Sequence, residues 1–191
     1  MEAVEFRRTS VPATFIVKVL GPFAIPIVLT LALVVVAGEH WPRTIAPGSG
    51  LKLAGFCVTA ATSLMVWRAV VRGVGDSRAR KFAALACAVT GLMGWPVWSA
   101  GFLPSVNGFT LGAESSVRMR LERTEVTSKS KSRDRYHWAW LSLDGRAAPI
   151  ASGRYFIPEK VYADWSKRRP SQVEVRVARG LLGAVVVTGY Q

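Results

Sequence analysis

Histidine and cysteine are scarce, with two of each among 191 residues. Cys57 and Cys87 both fall inside long apolar stretches and outside any CxxC or CxxH context, so they read as small packing residues rather than metal ligands. His40 and His137 are far apart in the chain. A zinc site needs three or four convergent ligands, and a catalytic triad needs a nucleophile, a base and an orienting group. Two unrelated histidines supply neither, and both are expected at surface or interfacial positions. Glycine loops of the GxxxxGK or GxGxxG type are missing as well. Acids are few, twelve against twenty-five Lys and Arg, and those of the C-terminal part show no paired spacing suited to general acid and base roles. The interiors of the apolar stretches hold no acid or arginine, which removes the usual mark of an ion or substrate pathway. These absences lead us to expect no enzymatic activity, no metal and no cofactor.

What the chain does contain is unevenly distributed. Residues 1–110 carry ten Lys or Arg and four acids, whereas residues 111–191 carry fifteen and eight. Three apolar stretches, at about 15–37, 51–71 and 82–103, are each long enough for a helix that covers a hydrocarbon core of roughly 30 Å. The first contains Lys18 near its start and Pro22 and Pro26 on one face, where they are expected to kink the helix. Cleavage of this stretch as a signal peptide is the rival reading, but its apolar core is too long and its prolines come too early. About ten residues separate the second and third stretches, which forces an antiparallel hairpin. Gly55, Thr59 and Ser63 face Ala83, Cys87 and Gly91 at four-residue spacing. Folding about Asp76 places Ser63 near Gly91 and Gly55 near Ser99, a close helix approach through small residues.

Basic residues give this arrangement an orientation. With the N-terminus inside, the inner face receives Arg7, Arg8, Arg68, Arg72, Arg78, Arg80 and Lys81, and the first outer loop only Arg43 and Lys52. Lys and Arg near span ends are retained on the cytoplasmic side, so three spans place the tail outside. The run Arg68, Arg72, Arg78, Arg80 and Lys81 is the topology-determining element. The expected setting is the inner membrane of a bacterium, with a cytoplasmic N-terminus and an extracytoplasmic C-terminal domain.

The remainder, residues 111–191, reads as a small β domain, in which the pattern changes from long apolar runs to strict alternation at Ser116. Val117, Met119 and Leu121 alternate with Arg118, Arg120 and Glu122, as in a half-buried strand. Tyr136 to Leu143 reads as a second strand with apolar groups on both faces. Asp144-Gly145 predicts a two-residue hairpin turn that pairs it with Arg146 to Ala151. Pro158 suits the first position of a short helix carrying Val161, Tyr162 and Trp165 on one face. Two further strands follow, around Val173 to Val177 and Ala184 to Tyr190. The fold class expected is three transmembrane helices followed by a five-stranded β-barrel-like domain in the order β-β-β-α-β-β, the order of an OB-fold and compatible with an SH3-like barrel. This layout resembles that of the NfeD-like proteins in architecture, as it does many small inner-membrane proteins of bacteria. No glycine motif of the former family occurs here, and neither resemblance implies an activity.

The sharpest local feature is Lys129, Lys131, Arg133 and Arg135, alternating with Ser128, Ser130, Ser132 and Asp134 just before Tyr136-His137-Trp138-Ala139-Trp140. Basic side chains beside aromatic rings suit an anionic polymer, with Trp138 and Trp140 as stacking partners. The plainer reading is a solvated loop with tryptophans in the core. A second cluster, Lys167, Arg168 and Arg169, could join the first or touch anionic lipid. The leading expectation is a non-enzymatic membrane protein whose β domain mediates protein–protein interaction or assembly in the cell envelope. The alternatives are a binding module for an anionic envelope polymer or lipid, and an enzyme whose site goes unrecognised. The bilayer and a protein partner or a second copy are the expected partners. Nucleic acid is not, because part of the net charge of +13 has a topological origin.

Overall fold

The computed structural model of the protein describes residues 13–37, 44–72, 74–128, 135–143 and 150–191. Two helical runs in it are long and apolar enough to cross a membrane, α3 (Leu51–Val71) and the continuous run Ser77–Gly108. The second run comprises α4 (Ser77–Pro96), a π-helical turn (Val97–Phe102) and α5 (Leu103–Gly108). The wider turn begins directly after Pro96, whose ring and missing N–H disturb the α-helical ladder.

The first apolar stretch does not form a third such helix, contrary to the three spans expected. It is divided into α1 (Ala13–Val19) and α2 (Gly21–Ala37), and the 17 residues of α2 fall short of a span. Pro22 is the cause: it has no N–H to continue the ladder, and the N–H of Phe23 bonds to Leu20 at 3.1 Å instead of to Val19. The Val19 carbonyl left over lies 2.9 Å from Thr90 Oγ1 of α4. That hydroxyl has one proton, which serves either Val19 or the equally close carbonyl of Ala86 in its own helix. Where no water is at hand, such hydroxyls are what re-satisfy backbone freed by proline.

Helices α3 and α4 pack as the expected hairpin. The Asp76 carboxylate accepts from the N–H groups of Arg78 (3.0 Å) and Ala79 (3.3 Å), capping α4 at its start. Ser63 lies against Gly91, and a Cβ at Gly55 would fall 2.8 Å from that of Ser99, so the small residues do permit close approach. Indoles tie both ends: Trp67 Nε1 donates to the Arg80 carbonyl at 3.4 Å, and Trp95 Nε1 to that of Lys52 at 3.1 Å. Leu53, Met65, Leu85 and Leu92 point outward and are exposed.

The C-terminal part is a five-stranded antiparallel sheet curled into a half-barrel, in the order β3-β2-β1-β4-β5. Its strands are β1 (Leu111–Ser128), β2 (Arg135–Ser142), β3 (Gly153–Ile157), β4 (Gln172–Gly180) and β5 (Val185–Tyr190), and α6 (Glu159–Arg168) lies between β3 and β4. The first strand begins at Leu111, earlier than the alternation from Ser116 suggests, and serves two partners. Leu111 to Arg120 pairs with β4, and Arg120 to Ser128 with β2. Inward residues at period two, among them Met119, Leu141, Tyr155, Ile157, Val175 and Val177, form the core. Helix α6 follows Pro158 as expected and buries Trp165 edge-on against Tyr190, with ring centroids 5.6 Å apart.

The third strand is not where a hairpin turn at Asp144-Gly145 would put it. That turn lies outside the described residues, but the partner of β2 is Gly153–Ile157, in a register that sets His137 opposite Ile157 and Leu141 opposite Gly153. Burial decides between the candidates. Residues 146–151 offer three alanines, one large apolar side chain in Ile150, and Pro149, which has no N–H for a ladder, whereas 153–157 bring Tyr155 and Ile157, both essentially inaccessible.

The helical part meets the sheet through Asn107 and through the segment before α3. Asn107, fully buried near the end of α5, reads the turn between β4 and β5. Its Oδ1 accepts from the N–H groups of Leu182 (3.0 Å) and Ala184 (3.2 Å), its Nδ2 donates to the Ala184 carbonyl (3.0 Å), and its own carbonyl accepts from Leu181 (2.9 Å). The segment before α3 also adds to the β5 edge through Ile45 and Val186, with Ala46 donating to Val185 and Val187 to Thr44. A row of unpaired backbone groups is thereby covered. The sheet thus sits at the end of the α3–α4 hairpin opposite Arg68 to Lys81.

Burial of tyrosines ties the stability of the sheet to pH. The Tyr155 hydroxyl donates to the Ala151 carbonyl at 2.6 Å, and Tyr190 donates to Phe156 at 2.6 Å across the open side of the half-barrel. Burial pushes Tyr155 from its ordinary value of 10.0 up to about 12. Tyr190 is raised by burial and, secondarily, by the charge of Tyr155. The fold therefore favours the neutral phenol. Its contribution is complete below the unfolded value and is lost as pH rises from about 10 to 12. Denaturant midpoints are expected to decline over that window, and Tyr155→Phe should flatten the decline. An unchanged profile in the variant would refute the assignment.

Candidate functional site

Strand β2 has two faces of different chemistry. His137, Ala139 and Leu141 point into the core, while Tyr136, Trp138 and Trp140 alternate with them on the outer face. The tryptophans are therefore not core residues. His137, expected at the surface, is instead buried, its ring 4.6 Å from that of Tyr162 on α6.

The neighbouring strands complete this outer face. Strand β1 carries a bulge between Leu121 and Arg123, so that Arg123, Glu125 and Thr127 face outward opposite Trp140, Trp138 and Tyr136. From β3, Arg154 stands opposite Trp140 and Phe156 opposite Trp138. The side chains form a connected ladder. Glu125 accepts from Trp140 Nε1 at 3.0 Å and from Arg154 Nη2 at 3.1 Å. Trp138 Nε1 donates to Thr127 Oγ1 at 2.8 Å. The guanidinium of Arg154 lies 4.2 Å from the centre of the Trp138 ring, and that of Arg123 lies 4.9 Å from that of Trp140. Phe156 meets Trp138 edge-on at 5.5 Å and lies 6.5 Å from Tyr136. Both indole N–H groups are satisfied and both arginines are stacked, which holds a half-exposed aromatic surface in one arrangement.

Of the residues singled out in the sequence, Trp138 and Trp140 belong to this face. Arg135 is exposed beside it, at the start of β2 opposite Ser128. Lys129, Lys131 and Arg133 lie outside the described residues. Lys167, Arg168 and Arg169 sit by the Gln172 end of β4, roughly 26 Å along the strand from Gly180 and the Asn107 contact. Arg168 is 2.8 Å from Asp164. At the far end of the helical hairpin, Arg80 Nε donates to the Val74 carbonyl at 2.6 Å. Arg68 is in the last turn of α3, Arg72 caps it, and Arg78 and Lys81 lie in α4.

Arg123, Glu125, Arg154 and Phe156 were not legible as members of one site. Strict alternation from Met119 and Leu121 turns Arg123 inward, and only the bulge reverses it. Arg154 and Phe156 depend on the register of β3.

Among the described residues no group of three or more His, Cys, Asp or Glu could hold a metal ion. A cavity of about 250 Å³ between residues 46–49, Ile150, Ala151 and Val185 is lined without an ionisable side chain. No protein-family model matches the chain, and no curated protein or solved structure matches it either.

Proposed function

We propose that this is a non-enzymatic integral protein of the bacterial inner membrane whose extracytoplasmic β domain docks a partner protein in the cell envelope. The docking surface is the outer face of β1, β2 and β3. One observation carries the reading: Tyr136, Trp138, Trp140 and Phe156 stand together with Arg123 and Arg154, half-exposed and held by one another. Trp, Tyr and Arg are the residue types that dominate binding energy in protein interfaces, and fixed side chains lose little freedom on binding.

The placement rests on the helices. Leu51–Val71 and Ser77–Gly108 cross the bilayer as an antiparallel pair. The basic run Arg68 to Lys81 stays inside, which puts the opposite end of the hairpin, with the sheet, outside. The sheet itself is OB-like, since strand order and the helix between the third and fourth strands follow that topology. An anionic envelope polymer or lipid, held by Lys129, Lys131, Arg133 and Arg135, is the second reading. It draws on the exposed Arg135 beside the aromatic face.

Two measurements test the proposal. Alkaline phosphatase fused after Gln191 should be active and after Lys81 inactive, and the reverse would overturn the orientation. A photo-crosslinking amino acid at Phe156 or Tyr136, in the native host, should give a discrete protein adduct that the same group at Leu182 does not. Identical products from all three positions would remove the docking face.

A further inference from the structure

The two stacked arginines of the outer face are in different electrostatic states. Arg154 is neutralised by Glu125, 3.1 Å away, and Arg120 on the same strand as Arg123 has Glu122 at 3.7 Å. Arg118 stands directly opposite Glu174 of β4. Arg123 lies over Trp140 and, among the described residues, has no carboxylate within 4.0 Å. It is also exposed. A guanidinium placed over an indole spends none of its N–H groups on a carboxylate, and its planar fork matches the two oxygens of one. The stacking also fixes the side chain beforehand, which lowers the entropic cost of the contact.

Charge over the whole C-terminal part points the same way. Residues 111–191 hold fifteen Lys or Arg and eight acids, an excess of seven positive charges, so approach of an acidic partner is favoured at long range.

We propose that the segment docked on this face is acidic, an extended stretch of a partner protein that places a carboxylate on Arg123 and an apolar side chain against Tyr136 and Phe156. This rests on the docking reading above and names the chemistry of its partner. Arg123 is then the specificity-determining cation of the face. Arg154 has a different part, holding Trp138 and Glu125 in place.

The test uses the full chain purified in an uncharged detergent and a labelled short peptide that alternates Glu with Phe. Binding is expected, and Arg123→Ala should weaken it about tenfold or more, the scale of a lost charge-assisted pair. Arg123→Lys should lose most of the same affinity, because the charge remains but the planar fork does not. Arg179→Ala, a change of equal charge at the helix-proximal end of β4, should stay within about twofold. Unchanged thermal midpoints would show that the variants fold. Equal losses at Arg123 and Arg179 would reduce the effect to diffuse attraction and overturn the proposal. So would preferential binding of heparin or of phosphatidylglycerol vesicles over the peptide. If the adduct at Phe156 forms undiminished in Arg123→Ala, the docking face stands and the acidic partner falls. If no face-specific adduct forms at all, both fall.

Discussion

Replacing Asn107 by alanine is expected to loosen the sheet from the apolar helices and to destabilise the protein by about 3 kcal/mol. The substitution removes the acceptor for two N–H groups, that of Ala184, which is buried, and that of Leu182, which is partly buried. It also takes one of two donors from the Ala184 carbonyl, which keeps the N–H of Gly180. Each orphaned donor costs about 1–3 kcal/mol when water cannot reach it. No compensating collapse is available, because Gly180 already presses on Asn107 so closely that a Cβ there would overlap the Asn107 carbonyl and side-chain amide. The thermal midpoint in detergent should fall on the order of 10 °C, and limited proteolysis should cut near residues 108–111 first. Ser105→Ala, which loses only a bond to Gly101 within its own helix, should change the midpoint far less. Equal behaviour of the two variants would show that the clasp contributes nothing.

The second large effect is expected from Gly94→Leu. A Cβ at Gly94 would lie 2.5 Å from the Pro22 carbonyl oxygen and 3.4 Å from Phe23 Cα. These are backbone atoms and cannot turn aside as a side chain can. Helix α2 must therefore withdraw from α4. The withdrawal also strips the Val19 carbonyl of the Thr90 hydroxyl, the group that makes the helix break tolerable. Overpacking of this kind costs about 1–3 kcal/mol even where side chains can adjust, and more is expected here. Gly21 provides the readout, since its Cβ position is 3.4 Å from Val66 of α3. Cysteines placed at 21 and 66, with Cys57 and Cys87 replaced by alanine, should form a disulfide readily in this background and at least about tenfold more slowly once Gly94→Leu is added. Gly75→Leu, in the hairpin loop with nothing within 4 Å of its Cβ position, should leave the rate unchanged. Equal rates with and without Gly94→Leu would mean that the first helices do not lean on this glycine.

These two sites show how unevenly sequence and structure inform one another. Small residues at four-residue spacing in α3 and α4 predict their own contacts, because a helix repeats every 3.6 residues and a short loop leaves one way to fold. The meeting of Gly55 with Ser99 and Ser63 with Gly91 follows from that alone. Asn107 carries no comparable signal. It is a polar residue near the end of an apolar run, and its partners lie more than seventy residues away.

The sequence by itself determined the bounds of the apolar helix α3 to the residue, the hairpin, the basic run at its end, the strand alternation and the helix after Pro158. All of these depend on periodicity or on contacts a few residues apart. Tertiary structure alone decided that the proline-bearing first stretch divides into two helices and that β3 begins at Gly153. It also decided that a bulge after Leu121 turns Arg123, Glu125 and Thr127 outward. Register is a property of two strands together, set by which pairing buries Tyr155 and Ile157, and a slip of one residue moves every side chain to the other face. The residues of the candidate docking face are each ordinary in the chain, and only pairing brings them into one ladder.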